Sequence, residues 1–416
     1  MARIVFVGDD FTGASDTLAT LAERGATVRL FLDAPTRAEA DGLDAVGIAT
    51  DLRSRTPDEI VARLAALAPA IAALAPRFVH YKVCSTFDSA PHVGSIGAAV
   101  TALEAAISPA HTIVLGGQPS LGRHCLFGTL FARAPDGETY RIDRHPIMSR
   151  HPVTPMGEAD LRIHLARQGL DGLALVGHPR LRETHDGFRP LFPAPGRTLV
   201  DAVDQSDVER LGAALREAPD DGPPILLIGA SSVAEALADP STHEPERVPP
   251  VARATGPVLA IAGSRSSATA AQVAAAASHV RVPLVATDLG TELPDCADHC
   301  ARMLGLDRHV LVHLQPDLDY GLSSTALSER LANLTAAIVA RQRVGRIAVA
   351  GGDTSSAVVA RLGFRSLSFV QRAGAGVAIC RGHAPGDPLD GALLLLKGGQ
   401  VGATDLLERF ADDTGN

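Results

Sequence analysis

Short β-branched and aliphatic runs alternate along this chain with stretches in which apolar residues recur every three to four positions, the pattern of strands alternating with helices. Ile4 to Val7, Thr27 to Leu32, Ala45 to Ala49, Phe78 to Lys82 and Thr112 to Leu115 predict strands, and helical periods at about 13–24, 57–74 and 93–107 separate most of them. Gly25 suits the left-handed position past the first helix. Thr56-Pro57-Asp58-Glu59 supplies an N-cap, a proline at the first helical position and acids in the first turn. From about 120 to 156 the regularity lapses into a loop-rich insertion with His145-Pro146 and His151-Pro152, and it resumes at Leu173 to Val176, Thr198 to Val200 and Ile225 to Ile228.

Proline, glycine and charge crowd residues 239–256 and predict a linker there. The second half starts afresh, with strands expected at 257–262, 282–286, 309–313 and 346–350, each followed by a helix, and further strands near 366–370 and 392–396. A chain of 416 residues exceeds the roughly 250–300 at which single cores stop growing. The expectation is therefore an α/β protein of two doubly wound domains, residues 1–238 and 257–416.

Charge and cysteine content narrow the partners. A net charge of −9 without a basic stripe argues against nucleic acid or an anionic membrane as the main partner. Cys84, Cys125, Cys296, Cys300 and Cys380 follow no framework spacing, as expected in a reducing compartment. The first strand begins almost at once and no run of 18 apolar residues occurs, so a soluble, cytoplasmic protein is expected. The oligomeric state stays open, a homodimer included.

Only two lysines, Lys82 and Lys397, stand among 38 basic residues. Both close apolar strand-like runs, and in open α/β sheets the ends of strands are where ligands bind. A compact ammonium at such a place offers what a planar guanidinium does not; codon bias alone would leave two lysines anywhere. Four turns carry the candidate chemistry. In Gly8-Asp9-Asp10-Phe11-Thr12-Gly13-Ala14-Ser15-Asp16, adjacent carboxylates could hold or deprotonate a substrate hydroxyl, or simply complement a helix N-terminus. Lys82-Val83-Cys84-Ser85-Thr86-Phe87-Asp88 offers a cation and two hydroxyls to an acidic substrate. Gly263-Ser264-Arg265-Ser266 and Gly351-Gly352-Asp353-Thr354 each follow a strand and open a helix, as phosphate nests do. Asp353 would repel phosphate unless a Mg²⁺ ion is shared between them. Lys397-Gly398-Gly399 adds a third close-approach backbone, and Gln118 and Arg123 flank another strand end.

In this order and at these separations, the Asp9 to Asp16 turn, Gly229-Ala230-Ser231-Ser232-Val233-Ala234, Gly263 to Ser266, Gly351 to Ser355 and Lys397 to Gly399 give a chain that resembles the four-carbon acid sugar kinases over nearly its whole length. The resemblance implies an N-terminal sugar-binding domain and a C-terminal nucleotide-binding domain. It also implies ATP-dependent phosphorylation of a small sugar acid such as a threonate, erythronate or 3-oxo-tetronate. ATP would lie on Ser264 or Ser266, on Gly351, Gly352, Asp353 and Thr354, and near Lys397, Gly398 and Gly399, with Asp353 at the Mg²⁺ ion. Asp10 is the expected base, with Asp9, Asp16, Lys82, Ser85, Thr86, Gln118 and Arg123 around the sugar acid.

One departure bears on the substrate. Where the family's lysine-bearing turn carries an acid and then an arginine, this chain has Cys84 and Asp88, followed by three extra residues before Gly94-Ser95-Ile96-Gly97. Reversing a charge beside a carboxylate pocket changes which acid fits, so a branched keto acid such as 3-oxo-isoapionate is the alternative substrate. A nucleotide-dependent dehydrogenase lacks its GxGxxG fingerprint here, and a sugar-acid sensor lacks a DNA-binding module. Cys296, His299 and Cys300 have no second ligand pair at finger spacing, which favours a helix flank over zinc.

Overall fold

The computed structural model describes residues 3–183, 187–220, 222–238 and 256–412; most of the expected linker, 239–255, lies outside them. The described residues form two compact units, one of residues up to 28 with 33–238 and one of 29–32 with 256–412. The chain's first strands are β1 (Ile4–Gly8), β2 (Val28–Phe31), β3 (Ala45–Ala49), β4 (Phe78–Lys82) and β5 (His111–Leu115). After them come β6 (Arg123–Leu126), β7 (Thr129–Arg133), β8 (Thr139–Arg141), β9 (Ala174–Val176), β10 (Gly196–Val200) and β11 (Ile225–Gly229).

In the first unit a parallel sheet runs in the order β3-β1-β4-β11-β5-β10-β9. Residues of β1, β3, β4 and β11 are buried throughout, which is why they read as unbroken apolar runs rather than alternating ones. Gly8 lies opposite both Ala49 and Lys82, and Lys82 opposite Gly229, so the carboxyl ends of four neighbouring strands sit level at one edge. The helix Pro57–Leu74 buries a single stripe, Ile60, Leu64, Leu67, Ile71 and Leu74, each side chain worth about 1.5–3 kcal/mol. The expected capping box forms, with Thr56 and Glu59 bonding each other's backbone N–H.

Residues 123–141, expected as loop, form instead the antiparallel meander β6-β7-β8. Its first hairpin closes on Phe127 and Gly128, both left-handed at φ 51 and 79. Their N–H groups donate to the fully buried Asp201 carboxylate at 2.6 and 2.8 Å. That partner is more than seventy residues distant, so no local pattern announces the turn.

The second unit contains β12 (Val258–Ala262), β13 (His279–Pro283), β14 (His309–His313), β15 (Arg346–Ala350), β16 (Ser366–Gly374), β17 (Val377–His383) and β18 (Leu393–Lys397). Strands β13-β14-β12-β15-β18 are parallel, and β17, β16 and β2 continue the sheet antiparallel. Its core is aliphatic, with Val258, Ala260, Leu311, Ala348, Ile379 and Leu395 packed on Phe410. The strand expected at 282–286 forms earlier, at 279–283, because its register with β14 ends at Pro283 opposite His313 and the chain then turns into the short 3₁₀ helix Ala286–Leu289. The strand expected near 366–370 is the first half of a hairpin, and two register shifts in β16 blur its alternation. Arg29–Leu32 groups with this unit despite its early place in the chain, since Phe31 and Leu30 pair with Ser366 and Leu367. Among the described residues no helix is long and apolar enough to cross a membrane.

Candidate active site

A side chain cannot be added at Gly8, where a Cβ would lie 2.6 Å from that of Ala14, so β1 turns sharply into Asp9 and Asp10 at the sheet edge. Asp10 caps the helix Phe11–Glu23: its Oδ1 accepts the Gly13 N–H at 3.0 Å and its Oδ2 accepts the Thr12 hydroxyl at 2.6 Å. Capping does not exhaust the carboxylate. Arg53 donates from Nη2 to Asp10 Oδ1 at 2.8 Å and to Asp9 Oδ1 at 2.7 Å, and from Nε to Asp9 Oδ2 at 3.1 Å. Its backbone N–H also donates to the Asp9 carbonyl at 2.9 Å. Arg53 stands in the single 3₁₀ turn Leu52–Ser54 after β3. Gly94 backs it, at φ 58, where a Cβ would come within 2.5 Å of the Arg53 carbonyl oxygen.

The two acids are electrically unlike. Burial raises the Asp9 carboxyl above its usual 3.8, and Arg53 offsets this only in part. Burial pushes Asp10 upward too, but Arg53, then Lys82, the Thr12 hydroxyl and the Gly13 N–H outweigh it and hold Asp10 below that value. Asp10 is thus the securely ionised member. One turn on, Asp16 Oδ2 accepts the Ser231 hydroxyl at 2.6 Å and so ties this helix to the helix Ser231–Leu237 behind β11.

Lys82, the last residue of β4, is buried at 4% exposure and donates from Nζ to the Val83 carbonyl at 2.8 Å. A Cβ at Gly13 would lie 2.5 Å from this Nζ and 2.4 Å from Asp10 Oδ1, so only glycine lets ammonium and carboxylate both crowd the helix start. Beyond Lys82 the turn is internally bonded. Cys84 Sγ lies 3.0 Å from Thr86 Oγ1, and Thr86 donates to Asp88 Oδ1 at 2.6 Å. Burial, with Asp88 next, pushes the Cys84 thiol up to about 11. Phe87 is buried in a left-handed conformation at φ 54, a strain that surrounding bonds must hold. Its carbonyl accepts the Ser89 hydroxyl at 2.9 Å and faces His164 Nε2 at 3.1 Å. Ser85 and Thr86 are buried in this turn. The positive charge near Asp88 comes from Arg53, on a different strand end.

Gln118 and Arg123 are bridged by paired backbone hydrogen bonds of 2.9 and 3.1 Å around Pro119–Leu121. Arg123 donates from Nη1 to the Leu121 carbonyl, while its buried Nε has no hydrogen-bond partner among the described residues. Burial lowers its pKa, Cys84 opposes that, and the like-charged Arg133 adds to it. A concavity of about 600 Å³ lined by Arg24, Ser120, His124, Gln205 and Glu235 lies on the same unit and takes in none of the expected site residues.

Three turns meet in the second unit because β12, β15 and β18 are neighbours in register, Ala262 opposite Ala350 and Ala350 opposite Lys397. Gly263 and Ser264 donate their N–H groups to the Ala350 carbonyl at 3.0 Å each, and Gly351 to that of Lys397 at 2.9 Å. A Cβ at Gly263 would lie 2.2 Å from Thr354 Oγ1, and one at Gly399 would lie 2.3 Å from Ser264 Oγ. Ser266 caps the helix Ser267–Ala275 and donates to the Gly399 carbonyl at 2.5 Å; Thr269 donates to the same oxygen at 2.8 Å. Thr354 Oγ1 lies 3.4 Å from Ser328 Oγ. These hydroxyls, with the backbone bonds, brace the three turns against one another. The helix Gly352–Arg361, with Asp353 in its first turn, begins at Gly351 without a side-chain cap. First-turn N–H groups of such a helix suit phosphate oxygens. Lys397 is wholly buried, with Nζ 3.1 Å from Thr269 Oγ1 and 3.5 Å from the Gly399 carbonyl, and burial lowers its pKa to about 8. Among the described residues no group of three or more His, Cys, Asp or Glu is placed to hold a metal ion.

Arg53 is the residue that sequence reasoning missed. Its signal was its place just past β3, but that strand's adjacency to β1 is a fact of sheet order, which periodicity does not encode.

An acid pair lies at one parallel-sheet edge, and glycine turns meet at the carboxyl ends of three neighbouring strands in the other unit. The chain matches family models for a sugar-binding N-terminal domain over residues 4–237 and a nucleotide-binding C-terminal domain over 259–407. A 3-oxo-isoapionate kinase of Paraburkholderia graminis is 33% identical, over 96% of this chain and 92% of that protein. A 3-oxo-tetronate kinase of Methylobacterium radiotolerans is 30% identical over 98% of both. In fold, the chain is similar to a solved structure from Salmonella typhimurium described as a putative tRNA synthase, with a TM-score of 0.82 at 24% identity and full coverage of both chains. The chain belongs to the four-carbon acid sugar kinase family.

Proposed function

We propose that this protein is an ATP-dependent kinase that phosphorylates a hydroxyl of a small sugar acid, with four-carbon acids such as 3-oxo-tetronate, threonate or erythronate as the substrate class. The observation that carries the reading is the Asp9-Asp10 pair held by Arg53 at the edge where β1, β3 and β4 end. Asp10 accepts the proton of the attacking hydroxyl as the new oxygen–phosphorus bond forms and the bond to the departing diphosphate breaks. Asp9 orients a neighbouring hydroxyl. Lys82, Ser85, Thr86, Gln118 and Arg123 receive the sugar acid. Asp16 acts through Ser231, keeping the helix that starts at Asp10 in place.

The triphosphate is received at the start of the helix Gly352–Arg361 and at Gly398-Gly399, while the N–H groups of Gly263, Ser264 and Gly351, donated to the Ala350 and Lys397 carbonyls, and the tight packing at Gly263 and Gly399 hold the turns together. Ser266, Thr354 and Lys397 brace the cradle. Mg²⁺ would neutralise phosphate charge; with a single acid in the turn, Asp353 would share the ion with phosphate oxygens rather than hold it alone.

The Cys84, Thr86 and Asp88 cluster supports a second reading within the same chemistry, a branched keto acid such as 3-oxo-isoapionate. Asp88 places a carboxylate, a hydroxyl acceptor, where the family's arginine would attract one. Screening both acid types for ADP release, with the phosphate located by NMR, tests the proposal. ADP release with neither, or a nicotinamide absorbance change on turnover, overturns it.

A further inference from the structure

Arg53 makes three charge-assisted hydrogen bonds to the acid pair: a fork onto Asp9 at 2.7 and 3.1 Å and a further bond from Nη2 onto Asp10 at 2.8 Å. Adjacent carboxylates repel, and at a buried edge the repulsion is poorly screened. Asp10 is faced by Arg53 from the segment after β3, by Lys82 from the end of β4, by Asp9 from β1, and by Thr12 and Gly13 from the helix it caps. Cys84 and Asp88, on the Lys82 turn, face Arg53. Lys82 spends its nearest hydrogen bond on a carbonyl, so Arg53 is the cation hydrogen-bonded to both acids.

We infer that Arg53 is a positioning residue of the kinase reaction, its planar fork locking Asp9 and Asp10 in the geometry in which Asp10 receives the substrate hydroxyl. The inference rests on the reading of Asp10 given above. Its backbone is fixed independently, by its own N–H on the Asp9 carbonyl and by the Gly94 turn, so the fork is delivered in a set orientation. A lysine supplies charge but cannot span both carboxylates. Without the guanidinium, Asp10 loses the strongest influence opposing its burial and protonates at higher pH.

The test uses the full chain with Arg53→Gln and Arg53→Lys. Initial rates with 3-oxo-tetronate and 3-oxo-isoapionate are followed from pH 5 to 8, alongside ¹³C NMR titration of labelled aspartate carboxyls, which needs no turnover. Arg53→Gln is expected to lower kcat about 10- to 100-fold at pH 7, to leave KM for ATP unchanged, and to move the acidic limb and the Asp10 resonance up by roughly one to two pH units. Arg53→Lys should bring the limb back while kcat stays at least about fivefold low. An unmoved Asp10 titration in Arg53→Gln overturns the inference. Should that variant fail to fold, a wild-type kcat in Arg53→Lys overturns it equally. If Asp10→Asn itself retains full kcat, the role given to Asp10 fails instead, and the NMR titration still decides whether Arg53 governs that carboxylate.

Discussion

Lys397 is wholly buried at the end of β18, and its ammonium is held at a pKa of about 8 instead of 10.5, because burial penalises the charged form. At 1.36 kcal/mol per unit, that drop corresponds to a penalty of about 3 kcal/mol on the folded state wherever Lys397 is charged. The sign follows from proton counting. Below pH 8 both folded and unfolded chains hold the proton and the penalty is fully present; between 8 and 10.5 the folded chain sheds it while the unfolded chain keeps it, so stability rises with pH through that window. Lys397→Met removes both the penalty and the Nζ bonds to Thr269 and Gly399, worth about 1.5–3 kcal/mol each when charged. Against the penalty of about 3 kcal/mol, the two lost bonds leave the variant less stable than wild type by about 0–3 kcal/mol at pH 7. Lys397→Arg keeps a charge it cannot lose and adds volume, and should be destabilised by about 2 kcal/mol or more. Urea denaturation followed by circular dichroism at pH 7 to 10.5 measures this, and taking wild type minus Lys397→Met cancels the alkaline titration of tyrosines and other thiols. The difference should grow by about 3 kcal/mol across the window. A flat difference would show that the ammonium is not desolvated, and the account of this strand end would be wrong.

Asp10→Asn should keep the helix cap, since asparagine also accepts the Gly13 N–H, yet lower kcat by about 10²–10⁴ in the ADP-release assay; near-normal kcat would mean that another group takes the proton. Gly399→Val should weaken ATP binding at least about tenfold by calorimetry because its Cβ meets Ser264 Oγ at 2.3 Å, whereas Gly398→Ala, whose Cβ meets only Val401 at 3.6 Å, should bind within about twofold. Equal affinities in the two would remove Gly399 from the cradle. A fragment of residues 256–412 lacks β2 and leaves the β16 edge unpaired, so it should aggregate on a sizing column; a monomeric fragment that binds ATP normally would make that strand dispensable.

Much of this protein was legible along the chain because parallel strands buried on both faces are written as uninterrupted aliphatic runs and helices as spaced stripes. Ala45–Ala49, Phe78–Lys82, His309–His313 and Arg346–Ala350 form where those runs lie. Glycine and acid turns at the ends of such runs likewise announced Asp10, Lys82 and the three turns of the second unit, since local backbone demands choose those residues. What periodicity could not decide is which strand ends are neighbours. Arg53 reaches Asp9 and Asp10 only because β3 pairs with β1, Arg29–Leu32 joins the second unit only because β16 offers it an open edge, and the Phe127 turn closes only on a carboxylate at Asp201. The same holds for Lys397, whose burial comes from the strands and helices around it, and sheet order and burial are properties of the folded chain as a whole.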